Sequence, residues 1–155
     1  MLGGLRLLMG WIFLWAFLDK LFGLGHDTVS KDAWVNGGSP TLGFLKFGAK
    51  GPLAGFYHSI AGAGWADALF MIGLAGIGLA LITGIFMRIG AIAGVVLLLG
   101  MYSVVLPPAN NVFADDHLVY AGLLVALVLL RAEDTLGFGG WWQNTTLVRR
   151  YPWMA

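Results

Sequence analysis

Four apolar stretches divide the chain: Leu2 to Leu24, Trp65 to Met87, Ile89 to Leu106, and about Val112 to Leu130, with nearly every ionisable group confined to two narrow belts between them. Each approaches the roughly 20 residues that cross about 30 Å of hydrocarbon at about 1.5 Å per residue. Lipid offers no partner to backbone N–H and C=O groups, so the stretches are expected to be helices, giving an all-α, polytopic membrane four-helix bundle. The connection from Gly25 to Gly64 is patterned too. Ser39 and Pro40 read as an N-cap and first helical position, and Gly51 and Pro52 as a second start. Leu53, Phe56, Tyr57 and Ile60 then fall at i, i+3, i+4 and i+7, one apolar stripe on a helix too short to span. The segment at about 40–61 is therefore expected to lie in the membrane interface or cap the bundle. Gly76, Ala80 and Gly84 on the second stretch, with Gly90 and Gly94 on the third, predict a tight antiparallel hairpin, a glycine-lined ligand groove being the alternative. No repeat or linker divides residues 1–155, which read as a single membrane domain with a tail over 131–155.

Composition strengthens this picture. A chain that is 59% hydrophobic and 11% charged, with mean hydropathy +0.82, does not have the makings of a soluble surface. An N-terminal signal peptide is the rival reading of the first stretch, but no basic region precedes it and Asp19 and Lys20 stand where a small-residue cleavage site belongs. Arg6, Arg88, Arg131, Arg149 and Arg150 flank the ends read as inner, and Lys20, Lys31, Lys46 and Lys50 the other side. Arg88 marks the turn between the second and third stretches, whereas the connection from Pro107 to Ala114 has no basic residue. Both termini are thus expected to be cytoplasmic, in the cell membrane.

Several chemistries are excluded. A net charge of +1 without a basic stripe supplies too few phosphate contacts for nucleic acid. The absence of cysteine removes thiol–disulfide exchange, iron–sulfur clusters and covalently attached haem, so no covalently bound cofactor is expected. His26, His58 and His117 are the only histidines available as haem ligands, and all lie in or beside the outer connections. No ligand spacing repeats, so no metal site is assigned.

The candidate chemistry sits in the outer belt. Only 13 apolar residues, Leu118 to Leu130, follow Asp115, Asp116 and His117, which places that cluster near the outer hydrocarbon boundary. Asp19, Lys20, His58, Asp67, Asn110 and Asn111 are expected at the same depth. Ionisable groups there are costly unless paired or hydrated, which makes them site candidates. Asp115, Asp116 and His117 are the candidates for proton exchange, because histidine ordinarily titrates near neutral pH. Arg6, Asp19, Lys20, His58, Asp67, Asn110 and Asn111 are the candidates for holding a substrate. The competing reading makes Asp67 and Asp115 helix N-terminal caps and Arg6 a snorkelling anchor. Trp65, Trp141, Trp142 and Trp153 read as interfacial belts. Arg149 and Arg150 among aromatic residues suit an anionic leaflet surface or a partner subunit.

The segments LRLLMGWIFLWAFLDKLFGLG, GGSPTLGFLKFGAKGPLAGFYHSIAG, LPPANNVFADDHLVYA and DTLGFGGWWQ together resemble the DoxX/DoxD family of small membrane proteins, over nearly the whole chain. The resemblance implies a membrane subunit of a thiosulfate:quinone oxidoreductase, with thiosulfate as donor, quinone as substrate and a DoxA-like partner on another polypeptide. The alternative function is a non-catalytic accessory or assembly subunit of a larger respiratory or redox complex. Small-solute transport is weaker, since no broken helix or inverted repeat is visible.

Overall fold

The structure, a computed structural model, describes residues 1–109 and 111–154, so the candidate Asn110 lies outside the described residues. Those residues form helices and no strand. Three helices are long and apolar enough to cross a membrane: α1 (Leu2–Phe22), α3 (Gly64–Thr83) and α4 (Met87–Val104). Between the first two lies α2 (Ala54–Ile60), and after them come α5 (Asp116–Leu129), α6 (Gly139–Gln143) and α7 (Thr146–Arg150). The ends of α1 and α3 follow from glycine. Gly23 and Gly84 adopt left-handed conformations at φ 66° and 76°, and their N–H groups close the last turn on Asp19 O and Ala80 O.

The fourth stretch differs from expectation. Its helix has 14 residues and begins at Asp116, four residues later than the apolar pattern suggests. Asn111 Oδ1 accepts from the N–H groups of Phe113 (3.0 Å) and Ala114 (3.2 Å), which bends the chain before a helix can start. Asp115 then caps it, accepting from Leu118 N–H at 3.3 Å. At about 1.5 Å per residue α5 covers about 21 Å, less than a hydrocarbon core.

The long connection folds back as a cap over the C-terminal end of α4, the end that the sequence reads as outer. Ser39 Oγ accepts from Leu42 N–H at 3.2 Å, the bond a capping side chain makes, but the helical element after it starts later than Pro40, with Gly43 at its N-cap position. This element is a π-helical turn (Phe44–Gly48). The second start falls slightly later than Pro52, at Ala54. Leu45 and Ala49 bury against Val104, with Tyr57 and Ile60 packed beside them, while Leu53 and Phe56 of the same stripe stay exposed.

One core joins Met9 and Phe13 of α1, Met71, Leu74, Ile77 and Leu81 of α3, Leu98 of α4, and Leu124 and Leu127 of α5. Apolar side chains such as Leu8, Ile12, Leu69, Ile72, Ile92, Val96 and Val125 face outward along the same helices. The small residues work differently from the expected hairpin. Gly90 does meet Ala80, where a Cβ would lie 2.6 Å from the alanine Cβ, but Gly76 faces open space and Gly84 is a C-cap. The closest helix approach is instead α1 on α3, where Gly78 faces the Leu14 backbone and Gly10 faces Ile82. That register runs antiparallel and fixes relative depths: Asp19 lies about 9 Å deeper than Asp67, and Arg6 about 28 Å from the level of Asp67.

A Cβ at Gly78 would sit 2.8 Å from the Leu14 nitrogen, and backbone cannot yield as a side chain can. Gly78→Ala is expected to destabilise the protein by about 1–3 kcal/mol, whereas Gly76→Ala leaves it unchanged or slightly more stable. Thermal unfolding in detergent compares the two; equal behaviour would reject the α1–α3 contact as the tight one.

Candidate functional site

The outer end of the molecule contains two cavities rather than one mouth. The larger, about 450 Å³, lies beneath the cap and between α3 and α4. Phe44, Leu45, Tyr57 and Ile60 roof it, Trp65, Leu69 and Phe70 of α3 and Leu97, Gly100 and Met101 of α4 form its walls, and Lys20, Asp27 and Thr41 supply polar groups. The exposed side chains of Trp65, Leu69 and Val96 stand where it opens sideways, on the flank a bilayer would cover. The Tyr57 hydroxyl is hydrogen-bonded to Ser103 Oγ, which ties the roof to α4.

The smaller cavity, about 300 Å³, is lined by Val105, Pro108, Asn111, Asp115, Asp116 and His117. Its chemistry is a short relay. His117 Nδ1 lies 2.6 Å from Asp115 Oδ2 and 3.6 Å from Asp116 Oδ1, and the imidazole and Asp115 are half-buried while Asp116 is exposed. Asp115 thus uses one oxygen to cap α5 and the other to orient the imidazole. One potential ligand atom from each of the three residues falls within 4.8 Å of the others, a grouping that its hydrogen bonds already account for. Val104 buries under the cap beside the larger cavity and Val105 lines the smaller one, so the end of α4 separates the two.

The other candidates are held by backbone groups and small hydroxyls. Asp67 is 4% exposed and does not cap α3, whose N-cap is Ala63. Its Oδ1 instead accepts from Ser39 Oγ (2.9 Å), Thr41 N–H (3.0 Å) and Thr41 Oγ1 (2.6 Å), anchoring the start of the cap to the first turn of α3. Asp19, 2% exposed, accepts from the N–H groups of Thr28 (2.8 Å) and His26 (3.3 Å) and closes the turn after α1. His58 is exposed on α2, with Nε2 3.1 Å from Ala49 O. The shared depth expected for the outer belt therefore does not hold. Asp19 and Lys20 sit deeper, and the Lys20 side chain is the one that lines the larger cavity.

Arg6 belongs to the opposite end. It is fully buried, with Nη1 donating to Leu81 O and to Ile82 O (3.0 Å), and Nη2 to Thr135 O (3.1 Å) and Leu136 O. This is no snorkelling anchor, because the side chain turns inward. Near it lies Glu133, 4% exposed, whose Oε1 accepts from Gln143 Nε2 at 3.2 Å. Arg6 Nε and Glu133 Oε2 have no hydrogen-bond partner among the described residues. Glu133, Asp27 and Thr41 carry no motif that would single them out in the sequence, and Tyr57 stands out there only as part of an apolar stripe; the fold brings them to these places. Compared with known proteins, the chain matches no family model, no curated protein and no solved structure.

Removing the Asp67 carboxylate leaves three donors without their acceptor, each worth about 1–3 kcal/mol when the acceptor is charged and buried. Asp67→Ala is expected to free the cap and speed tryptic cleavage after the exposed Lys46 and Lys50 by about tenfold or more. Limited proteolysis with mass-spectrometric mapping reads this; unaltered cleavage would mean the cap is held elsewhere.

Proposed function

We propose that the protein is a multi-pass membrane subunit of a quinone-linked oxidoreductase, of the DoxX/DoxD type that its sequence resembles, working in the cell membrane with both termini cytoplasmic. The observation that carries this reading is the larger outer cavity. It is apolar and aromatic, it opens toward the lipid flank, and it offers few polar groups, the makings of a site for an amphiphilic ring. In this reading the three long helices and the shorter α5 form a four-helix membrane bundle, and Lys20 donates a hydrogen bond to a quinone oxygen.

Reduction of a quinone to a quinol takes up two electrons and two protons. The electrons come from the donor, for which the resemblance supplies thiosulfate, and the protons come from the aqueous side. The His117–Asp115 pair, with Asp116 beside it, is the proton-exchanging group of this proposal, reaching the quinone through water around the end of α4. A second reading, an accessory or assembly subunit, draws support from the exposed apolar cap, where Phe47 is 71% and Phe56 59% exposed. Such a surface suits a larger membrane complex as well as lipid.

The functional test is thiosulfate-dependent quinone reduction in native membranes from a strain lacking the protein and from the same strain after its restoration. The rate is expected to vanish and return; an unchanged rate would favour the accessory reading. Gly100 offers the sharper probe, since it lines the cavity and a side chain there meets open space. Gly100→Trp is expected to fill the site and reduce quinone turnover at least tenfold while the protein stays folded.

His117→Ala should separate binding from proton exchange. It is expected to lower kcat by about tenfold or more, with little change in KM for the quinone, whereas Gly100→Trp acts on binding. A KM effect at His117 equal to that at Gly100 would place the imidazole in the binding site instead.

A further inference from the structure

The tail after α5 folds into an inner cap that gathers arginines from distant parts of the chain. Phe138 N–H donates to Thr83 O at 2.8 Å, the Phe86 and Trp142 rings lie 4.6 Å apart, and Trp142 Nε1 donates to Met154 O at 2.8 Å. Arg88, in the first turn of α4, donates to Pro152 O at 3.2 Å. That bond seats the chain just after the Arg149–Arg150 pair on the start of α4, so the tail arginines and Arg88 share this end of the molecule. All three arginines are exposed. The ion pairs found among the described residues are those of His117 and that of Arg131 with Asp134, so Arg88, Arg149 and Arg150 make none there. Around them the apolar rings of Phe138, Trp141 and Trp153 are also exposed.

We infer that this inner cap is a binding surface for anionic phospholipid headgroups. The charge is complementary to a phosphate, the guanidinium offers paired donors for its oxygens, and aromatic rings beside it suit the boundary between headgroup and acyl chain. Position argues the same way. Arg88 opens a helix able to cross a membrane, so the cluster lies at the level where headgroups end and hydrocarbon begins. Glu133 and Asp134 do not oppose this charge: the first is buried and the second is paired with Arg131 at 3.0 Å.

The full chain, reconstituted in vesicles of equal phosphatidylglycerol and phosphatidylcholine and released for native mass spectrometry, is expected to retain phosphatidylglycerol preferentially. Each arginine near an anionic surface is worth about a fivefold change in association. Arg149→Gln with Arg150→Gln should therefore reduce the preference by about tenfold or more, and Arg88→Gln by about fivefold. Lysine at the same positions should preserve it, and Lys46→Gln with Lys50→Gln, at the opposite end, should leave it unchanged. The inference is overturned if the parent shows no preference, if the glutamine variants keep the parent ratio, or if the outer lysine pair matters as much. A polypeptide that co-purifies and is lost with the glutamine variants, the lipid ratio staying constant, would overturn it in favour of a protein partner.

Discussion

The buried guanidinium of Arg6 is the interaction on which the inner half of the molecule depends. A helix end leaves its last carbonyls without intrahelical partners, and in an apolar setting such groups cannot turn to water. Two of the carbonyls at the end of α3, Leu81 O and Ile82 O, are met by Arg6 from α1, and the same side chain also takes Thr135 O and Leu136 O from the tail. One residue thereby joins three separate parts of the chain. A cation also belongs there, because the C-terminal end of a helix carries partial negative charge. The desolvation cost of burying it is offset only in part by the carbonyls it satisfies and by the nearby Glu133. Among the described residues, the three non-glycine residues in left-handed conformation, Phe86, Arg131 and Leu136, all lie at this inner end, and Leu136 itself supplies one of the carbonyls that Arg6 meets. Such backbone persists only where its surroundings over-determine it.

The outer end obeys the opposite sign. Asp115 caps α5 and Asp67 sits in the first turn of α3, acids at helix N-termini, while the last turn of α1 carries Lys20 together with Asp19, whose carboxylate is met by backbone N–H groups of the turn that follows. The two buried systems, Arg6 with Glu133 and Asp67 with Ser39 and Thr41, are about 28 Å apart along the helices, close to the thickness of a hydrocarbon core. Fixed polar anchors at both ends and outward apolar side chains between them form a consistent design for a lipid environment.

How much of this was legible follows from the range of each signal. Apolar runs report three long helices directly, and Ser39 reports a capping bond because capping is decided within four residues. The start of α5 was misplaced because Val112 and Phe113 extend the apolar run, while the competing Asn111 turn leaves little mark on hydropathy. Gly10 and Gly78 were unread because a close approach between helices needs the register of both, and neither belongs to the four-residue pattern that drew attention to Gly76. Asp19 and Asp67 read in the sequence as charges in need of partners, and Arg6 as a substrate ligand or a snorkelling anchor rather than a buried cation. Their partners are backbone groups or small hydroxyls 7 to 130 positions away, a relation that no local spacing expresses.

The charge inside the larger cavity bears on which half-reaction belongs there. Lys20 and Asp27 line it together, opposite unit charges in an otherwise apolar chamber. A thiosulfate dianion entering such a space would lose its hydration against one cation and be opposed by one carboxylate, a poor exchange at low dielectric. A neutral quinone ring meets no such penalty, and its oxygen needs only a donor of the kind Lys20 provides. The π-helical turn helps to shape the chamber for a ring, because Phe44 lines it while the adjacent Leu45 also reaches the Val104 cluster. On the proposed function, oxidation of the anionic donor therefore belongs outside this cavity, on a partner polypeptide whose own redox group passes the electrons to the quinone.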